Sequence, residues 1–336
     1  MRSTYESKRN PTGRGDPCGS AHTWALVLAG GDGTRLHGLI RSSEGIPIPK
    51  QFFSLRGGVT LLQQTLERAQ SIVPRNRICT VLSERHRQWW EPLLRSLPGM
   101  FPIIQPDNRG TGIGILFPLL HILYRDPHAK IVVLPCDHYV DQEEALALAL
   151  HEALVRVQSR NHNVVLLGME PESPDPELGY IVPGRTLSKH VTGIECFVEK
   201  PTMLRAQELI ARGALWNAFI IAASAQGLLR LFEGRQNRAI TALRELVTLD
   251  LCGKADFARA VAIFDLLPRV DFSQDILTVQ ASSLHLQRVP HCGWSDLGTP
   301  RRMSAVLRRI EQTEDRSMSP EIFAAQTDLA AQSAQR

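Results

Sequence analysis

Apolar positions along the chain follow two rhythms. Short unbroken apolar runs of strand length cover Trp24 to Ala29, Arg77 to Leu82, Phe101 to Gln105, Ala129 to Leu134 and Val164 to Met169, and each is followed by glycine or a polar loop. Between them, apolar residues recur at helical spacing: Leu62, Leu66 and Ala69 after a Thr60–Gln63 capping box, then Glu84 to Leu97 and Ile113 to Tyr124. A further helix, Gln142 to Ser159, carries Leu146, Ala149, Leu150, Ala153, Leu154 and Val157 on one face. Runs buried on both faces that alternate with amphipathic helices make a parallel sheet covered on both sides. The expectation is a three-layer α/β fold with a mostly parallel mixed central sheet. Trp89 and Trp90 are expected in its core.

The texture changes after Met169. Pro171, Pro174 and Pro176 mark an irregular segment, and from Leu178 to Pro201 the pattern is of strands without long helices. Residues 222 to 262 then read as helical, Leu284 to Val289 as a last strand, and Arg301 to Ile310 as a basic helix with a solvated face. Residues 1–22 form a basic tail, and from 313 to 336 the chain is polar, alanine-rich and expected to fray. Between the tails, one domain is expected over 23–312, with a first half to about 170 and a second from about 171.

Composition excludes several classes. With 43% hydrophobic and 21% charged residues the chain is globular, and a net charge of +4 gives no case for nucleic acid. No apolar run approaches the roughly 18 residues a membrane helix needs, and the segment before Trp24 lacks a signal-peptide core, so a cytoplasmic site of action is expected. The six cysteines show no metal-ligand or redox spacing, which points to reduced thiols.

The chemistry concentrates at strand ends. The first strand stops at Ala29-Gly30-Gly31-Asp32-Gly33-Thr34-Arg35, where free backbone N–H groups in a glycine turn make an anion-binding concavity, and Arg35 and Lys50 add positive charge. The spacing is neither the P-loop nor the dinucleotide fingerprint, so the glycines alone are also compatible with a plain strand-to-helix turn. The third strand ends in Gln105-Pro106-Asp107-Asn108-Arg109-Gly110-Thr111, a loop rich in hydrogen-bonding groups. Asp137 follows the most apolar strand; because Asp141 is placed to cap the next helix, Asp137 is left without a structural task. His138 beside it is either a second ligand or a loop residue. Glu199 and Lys200 pair an acceptor with a cation, and Asp296 sits in a glycine-bounded turn.

Taken together these strings carry a resemblance. Gly30-Gly31-Asp32-Gly33-Thr34-Arg35-Leu36 followed by Pro49-Lys50 resembles the signature of the sugar-nucleotide pyrophosphorylases, and Pro49-Lys50-Gln51-Phe52 resembles the mannose-1-phosphate guanylyltransferase branch. Asn108-Arg109-Gly110-Thr111, Leu178-Gly179-Tyr180-Ile181, Phe197-Val198-Glu199-Lys200-Pro201, Trp216-Asn217 and the turn at Asp296 are similar to further elements of the same enzymes, in order over about 24–305. The fifteen positions from Arg35 to Lys50 make a longer loop than the compact motif has, and Ala218 stands where the family usually has a serine or threonine.

The resemblance implies a Rossmann-like nucleotide-diphospho-sugar transferase fold and nucleotidyl transfer from an NTP, with GTP expected, to a sugar 1-phosphate, with mannose 1-phosphate expected. Arg35 and Lys50 are then catalytic. Ala29, Gly30, Gly31, Gly33, Thr34, Gln105, Asn108, Gly110 and Thr111 bind nucleotide, and Gly179, Tyr180, Glu199, Lys200 and Asn217 bind the sugar phosphate. Asp137 and Asp296 hold Mg²⁺. Asp271 and Asp275 either touch ligand or cap a helix. Partners are the two substrates, with no nucleic acid or membrane, and a homo-oligomer stays open. Alternatives are UTP or dTTP with glucose 1-phosphate, and a catalytically silent regulatory paralogue.

Overall fold

The computed structural model describes residues 20–33, 40–42, 44–158, 164–188, 191–254 and 256–317. Among the described residues, nine strands form one sheet in the order β3-β2-β1-β4-β8-β5-β9-β7-β6, with β6 also touching β8. The first four are β1 (Thr23–Ala29), β2 (Ile78–Ser83), β3 (Phe101–Gln105) and β4 (Lys130–Pro135), all mutually parallel. The others are β5 (Val164–Met169), β6 (Tyr180–Ser188), β7 (Val191–Val198), β8 (Leu215–Ser224) and β9 (His285–Arg288). Only β7 and β8 run against the remaining strands, so the sheet is mixed but mostly of one direction.

Strand alternation sorts the side chains into two layers. Trp24 and Leu26, Ile131 and Val133, and Ile221 and Ala223 join one core, against α3 (Gly110–Arg125), α6 (Ala225–Arg230), α7 (Asn237–Leu251) and α8 (Phe257–Leu266). Ala25 and Val27, Val132 and Leu134, and Ile220 and Ala222 face the other way, against α1 (Leu61–Gln70), α2 (Arg87–Ser96), α4 (Glu143–Gln158) and α5 (Met203–Ala211). This is the three-layer fold expected from the pattern. Trp90 is buried, with Nε1 donating to the Ser83 carbonyl at 2.8 Å, and Trp89 packs on the same core. The Thr60–Gln63 capping box forms as read.

Four expectations shift. Residues 222–224 finish β8 instead of opening a helix, because Ala222 and Ala223 are sheet positions with no exposure. The helix read from Ile113 begins at Gly110, where the Gly110 N–H donates to Asn108 Oδ1 (2.9 Å) and the Gly112 N–H to the Val270 carbonyl (2.8 Å). Asp141, read as a cap, accepts the Tyr139 hydroxyl at 3.1 Å. At the C-terminal side, α9 spans Pro300–Ser317 and packs Met303, Val306 and Ile310 with Ile40, Leu55 and Leu297 in a third apolar cluster, so the chain is helical past the expected fraying point.

Candidate active site

The carboxyl ends of β1, β3 and β4 open on one side of the sheet, where parallel sheets bind ligands. Gly30 and Gly31 leave β1 there, and the Gln51 amide holds the turn by donating to the carbonyls of Ala29 (3.0 Å) and Gly31 (2.9 Å). A Cβ on Gly30 would lie 3.1 Å from Gln105 Oε1. Gly33 adopts φ +60, with its Cα facing the Lys50 backbone, which only glycine does without strain. Thr34 and Arg35 lie outside the described residues, as do positions 36–39 and 43 of the lengthened loop. Its far side returns through an Arg41–Pro47 bridge and an Ile48 N–H to Ile40 carbonyl bond of 3.0 Å.

Gly30, Gly31, Gln105, Asn108, Gly110 and Thr111 line a single cavity of about 390 Å³. Gln105 is 4% exposed and its Nε2 makes no hydrogen bond, a donor left for an occupant. Asn108 is fixed from both ends: Nδ2 donates to Asp32 Oδ2 (3.0 Å), and Arg269 donates to its carbonyl (3.0 Å). The opposite wall comes from a segment not assigned to the site from sequence, Arg269 and Val270. Asp271 and Asp275 do two things at once. They line the cavity, and they order the π-helical turn Phe272–Leu277, Asp271 Oδ1 accepting from the Gln274 N–H (3.0 Å) and Asp275 Oδ2 from the Asp271 N–H (2.8 Å). No local signal identifies Val270, because its value lies in the backbone carbonyl it presents to Gly112.

Beside this cavity Lys50 is buried at 6% exposure, and its Nζ lies 3.1 Å from Asp137 Oδ2 while also donating to the Asp296 carbonyl. Desolvation at the strand end opposes ionisation of Asp137, yet the Lys50 charge and the hydrogen bond it donates hold the carboxyl below the ordinary range. His138 is buried; its Nδ1 accepts from Trp294 Nε1 at 3.2 Å, which leaves the proton on Nε2, 3.5 Å from Asp137 Oδ1. Burial pushes the imidazole down to about 4, so it stays neutral and orients the carboxylate. The Asp296 carboxylate points elsewhere, to Arg302, with Oδ1 2.5 Å from Nε and Oδ2 3.1 Å from Nη2. Arg302 belongs to the helix read as a solvated basic face, but its side chain is only 16% exposed and also pairs with Asp175.

Gly179, Glu199 and Asn217 meet at one point. A Cβ on Gly179 would stand 2.5 Å from Glu199 Oε2 and 3.5 Å from Asn217 Cβ, and the Asn217 N–H donates to the Gly179 carbonyl at 2.8 Å. Lys200 lies 3.4 Å from Glu199. With Ala218 in the next position, Asn217 Oδ1 is held by the Phe219 N–H at 3.0 Å. Tyr180 is fully buried, and its hydroxyl spans the Asp175 N–H (2.8 Å) and carbonyl (3.1 Å), so its side chain supports the Asp175 loop from within the core. Among the described residues, the non-glycine residues with positive φ are Lys200, Phe219 and Leu297, each next to or two residues from Glu199, Asn217 or Asp296. Strain of this kind gathers at ligand sites.

The nucleotidyl transferase family profile matches residues 24–313. The chain is 27% identical over 297 residues to a mannose-1-phosphate guanylyltransferase of Sinorhizobium fredii, covering 86% of this chain and 55% of that one. It is 29% identical over 287 residues to the xanthan biosynthesis protein XanB of Xanthomonas campestris, covering 82% and 57%. The chain thus spans about half the length of these curated relatives. Among solved structures, a Thermus thermophilus protein described as mannose-1-phosphate geranyltransferase superposes with a TM-score of 0.69 at 30% identity, over 82% of this chain and 76% of that one. A UDP-glucose pyrophosphorylase bound to UDP-glucose shares the fold at a TM-score of 0.54 and 14% identity. With the profile spanning nearly the whole described chain, the protein belongs to the nucleotidyl transferase family.

Proposed function

We propose that this chain transfers a guanylyl group from GTP to mannose 1-phosphate, giving GDP-mannose and pyrophosphate. A phosphate oxygen of the sugar attacks the α-phosphorus, and the bond between the α-phosphorus and the oxygen leading to the β-phosphorus breaks. The attacking oxygen already belongs to a phosphate, so no general base is required; the site must align two polyanions and stabilise the leaving charge. The observation that carries this reading is the single cavity lined by six residues of the nucleotide motifs, with the cation of Lys50 buried beside it.

In this reading the base enters between Gln105 and Val270, and Lys50 takes a phosphate oxygen in place of one of its present acceptors. Glu199 accepts sugar hydroxyls and Lys200 faces the sugar phosphate. The donor set suits Mg²⁺ in kind, since the Asp137 carboxylate is half exposed at a strand end and the Asp296 carboxylate, carried by the turn whose backbone meets Lys50, would join it on release from Arg302. Asp137 and Asp296 would hold the ion, which when bound neutralises phosphate charge and favours departure of pyrophosphate.

The test is pyrophosphate release with Mg²⁺ across GTP, UTP, dTTP, CTP and ATP, each with mannose 1-phosphate and glucose 1-phosphate. Release confined to GTP with mannose 1-phosphate is expected. Activity with another pair, such as UTP or dTTP with glucose 1-phosphate, keeps the chemistry and replaces the specificity. Silence from folded protein across the grid favours a regulatory paralogue.

A further inference from the structure

Arg302 stands at the start of α9, six residues after Asp296, and its guanidinium is shared by carboxylates from distant parts of the chain. Nη2 donates to Asp296 Oδ2 at 3.1 Å, Nε lies 2.5 Å from Oδ1 as an ion-pair contact without hydrogen-bond geometry, Oδ1 itself accepts the Gly298 N–H at 3.1 Å, and Nη1 pairs with Asp175. Asp175 is itself fixed through its backbone by the buried Tyr180 hydroxyl. Lys50 does not compete for this position, because it meets the Asp296 carbonyl and not the carboxylate. The ion pair lines a cavity of about 580 Å³ between the 172–178 segment and α9.

A guanidinium lying against both oxygens of a carboxylate is a close, part-buried ion pair with one charged hydrogen bond, and a divalent cation seeks those same oxygens. We propose that Arg302 is a positioning residue that serves as an internal counter-cation for Asp296. It keeps the carboxylate oriented and neutralised while no divalent cation is present and yields it when one arrives, retaining Asp175 as its remaining partner. The inference rests on Asp296 being a cation ligand, as proposed above. It gives the chain a divalent-cation affinity set by competition, and Asp175 becomes part of that setting although it touches no substrate.

The experiment is direct binding of Mn²⁺ alone to the full chain, followed by electron paramagnetic resonance without nucleotide or sugar. Arg302→Gln is expected to bind Mn²⁺ about tenfold more tightly, the worth of one charged hydrogen-bonded pair, and adding Asp296→Asn to it abolishes the gain. Asp175→Asn is expected to bind more weakly than wild type, since Arg302 then has nowhere else to pair; mere loosening of the structure would not move the two variants in opposite directions. Should Arg302→Gln fail to fold, Arg302→Lys, which keeps the charge and loses the planar guanidinium, shows a smaller gain. Unchanged or weaker binding in folded Arg302→Gln, with Asp296→Asn still weakening it, overturns the counter-cation role and leaves Asp296 as a ligand. Equal binding in wild type, Asp137→Asn and Asp296→Asn overturns the assignment of the cation pair, and this inference with it.

Discussion

Lys50 Nζ lies 3.1 Å from Asp137 Oδ2, and the same ammonium donates to the Asp296 backbone carbonyl. One buried cation therefore ties together the loop after β1, the end of β4 and the turn before α9. A charge held in a fixed, water-poor setting costs no reorganisation when phosphate charge develops near it.

Removing that charge is expected to leave the fold in place, and removing its carboxylate partner to leave it folded at a greater cost in stability. Lys50→Ala and Asp137→Ala should each lower turnover about a hundredfold or more, in line with the loss of one preorganised stabiliser. In Lys50→Ala the remaining Asp137 carboxylate is 46% exposed, so water takes over its solvation and the melting temperature should move by only a few degrees, whereas Asp137→Ala leaves the buried Lys50 ammonium without its counter-charge and should lower it further. Pyrophosphate release and a circular-dichroism melt check both; near-normal rates in either variant would remove these residues from the catalytic set.

Gly179 offers a sharper test of the proposed sugar side. Its Cα faces Glu199 so closely that a methyl group would sit 2.5 Å from Oε2. Gly179→Ala must push the Glu199 carboxylate aside, and misplacement by such an amount costs about ten- to a hundredfold. The expected signature is a raised KM for the sugar 1-phosphate with the KM for the NTP nearly unchanged. A change confined to the NTP would mean that the Gly179–Glu199–Asn217 cluster faces the nucleotide.

What could be read in advance followed from locality. The bounds of β3 and β5, the capping box at Thr60 and the alternation of strands with helices rest on residues close in sequence, and so did the strings that place Gly30, Gln105, Asn108 and Thr111 at strand ends. What stayed hidden depends on distant pairs. Arg302 looks like one more arginine on a basic helix until Asp175, 127 residues away, is found beside it. Val270 carries no chemistry of its own, and Tyr180 sits inside a motif string while its hydroxyl serves the backbone at Asp175. A motif shows that a residue belongs to the site without separating the side chain that touches ligand from the one that supports it.

Gly110 tests how the cavity between Gln105 and Val270 is built. It combines φ +86 with a Cβ position 2.3 Å from the Val270 carbonyl oxygen, and backbone on both sides cannot yield cheaply. Gly110→Ala is expected to destabilise the protein by about 2–4 kcal/mol through strain and clash together. Gly31→Ala serves as the comparison for stability, since nothing lies within 4 Å of its Cβ position, and it should stay within about 0.5 kcal/mol. Chemical denaturation of the two variants measures the difference; equal stabilities would mean that the Val270 segment is free to move away.

His121 supplies a pH dependence away from the site. The ring is 1% exposed on α3, packed edge-on against Phe117 and Phe101, and neither nitrogen makes a hydrogen bond, although Nδ1 is 3.8 Å from Asp250. Burial first, and the Arg125 charge second, push its pKa from 6.5 down to about 4. The unfolded chain therefore binds a proton that the folded one refuses, so stability is complete above pH 6.5 and declines as the pH falls toward 4. A shift of this size is worth at most about 3 kcal/mol across that window. His121→Leu should lose the corresponding part of the slope when unfolding free energies are measured from pH 7.5 to 4.5, while His138, also depressed to about 4, contributes equally to both proteins and cancels in the comparison. Identical slopes in wild type and variant would show that His121 takes up its proton in the folded state at an ordinary pH, and so that the Phe101–Phe117 pocket admits water or lets Asp250 close on the ring.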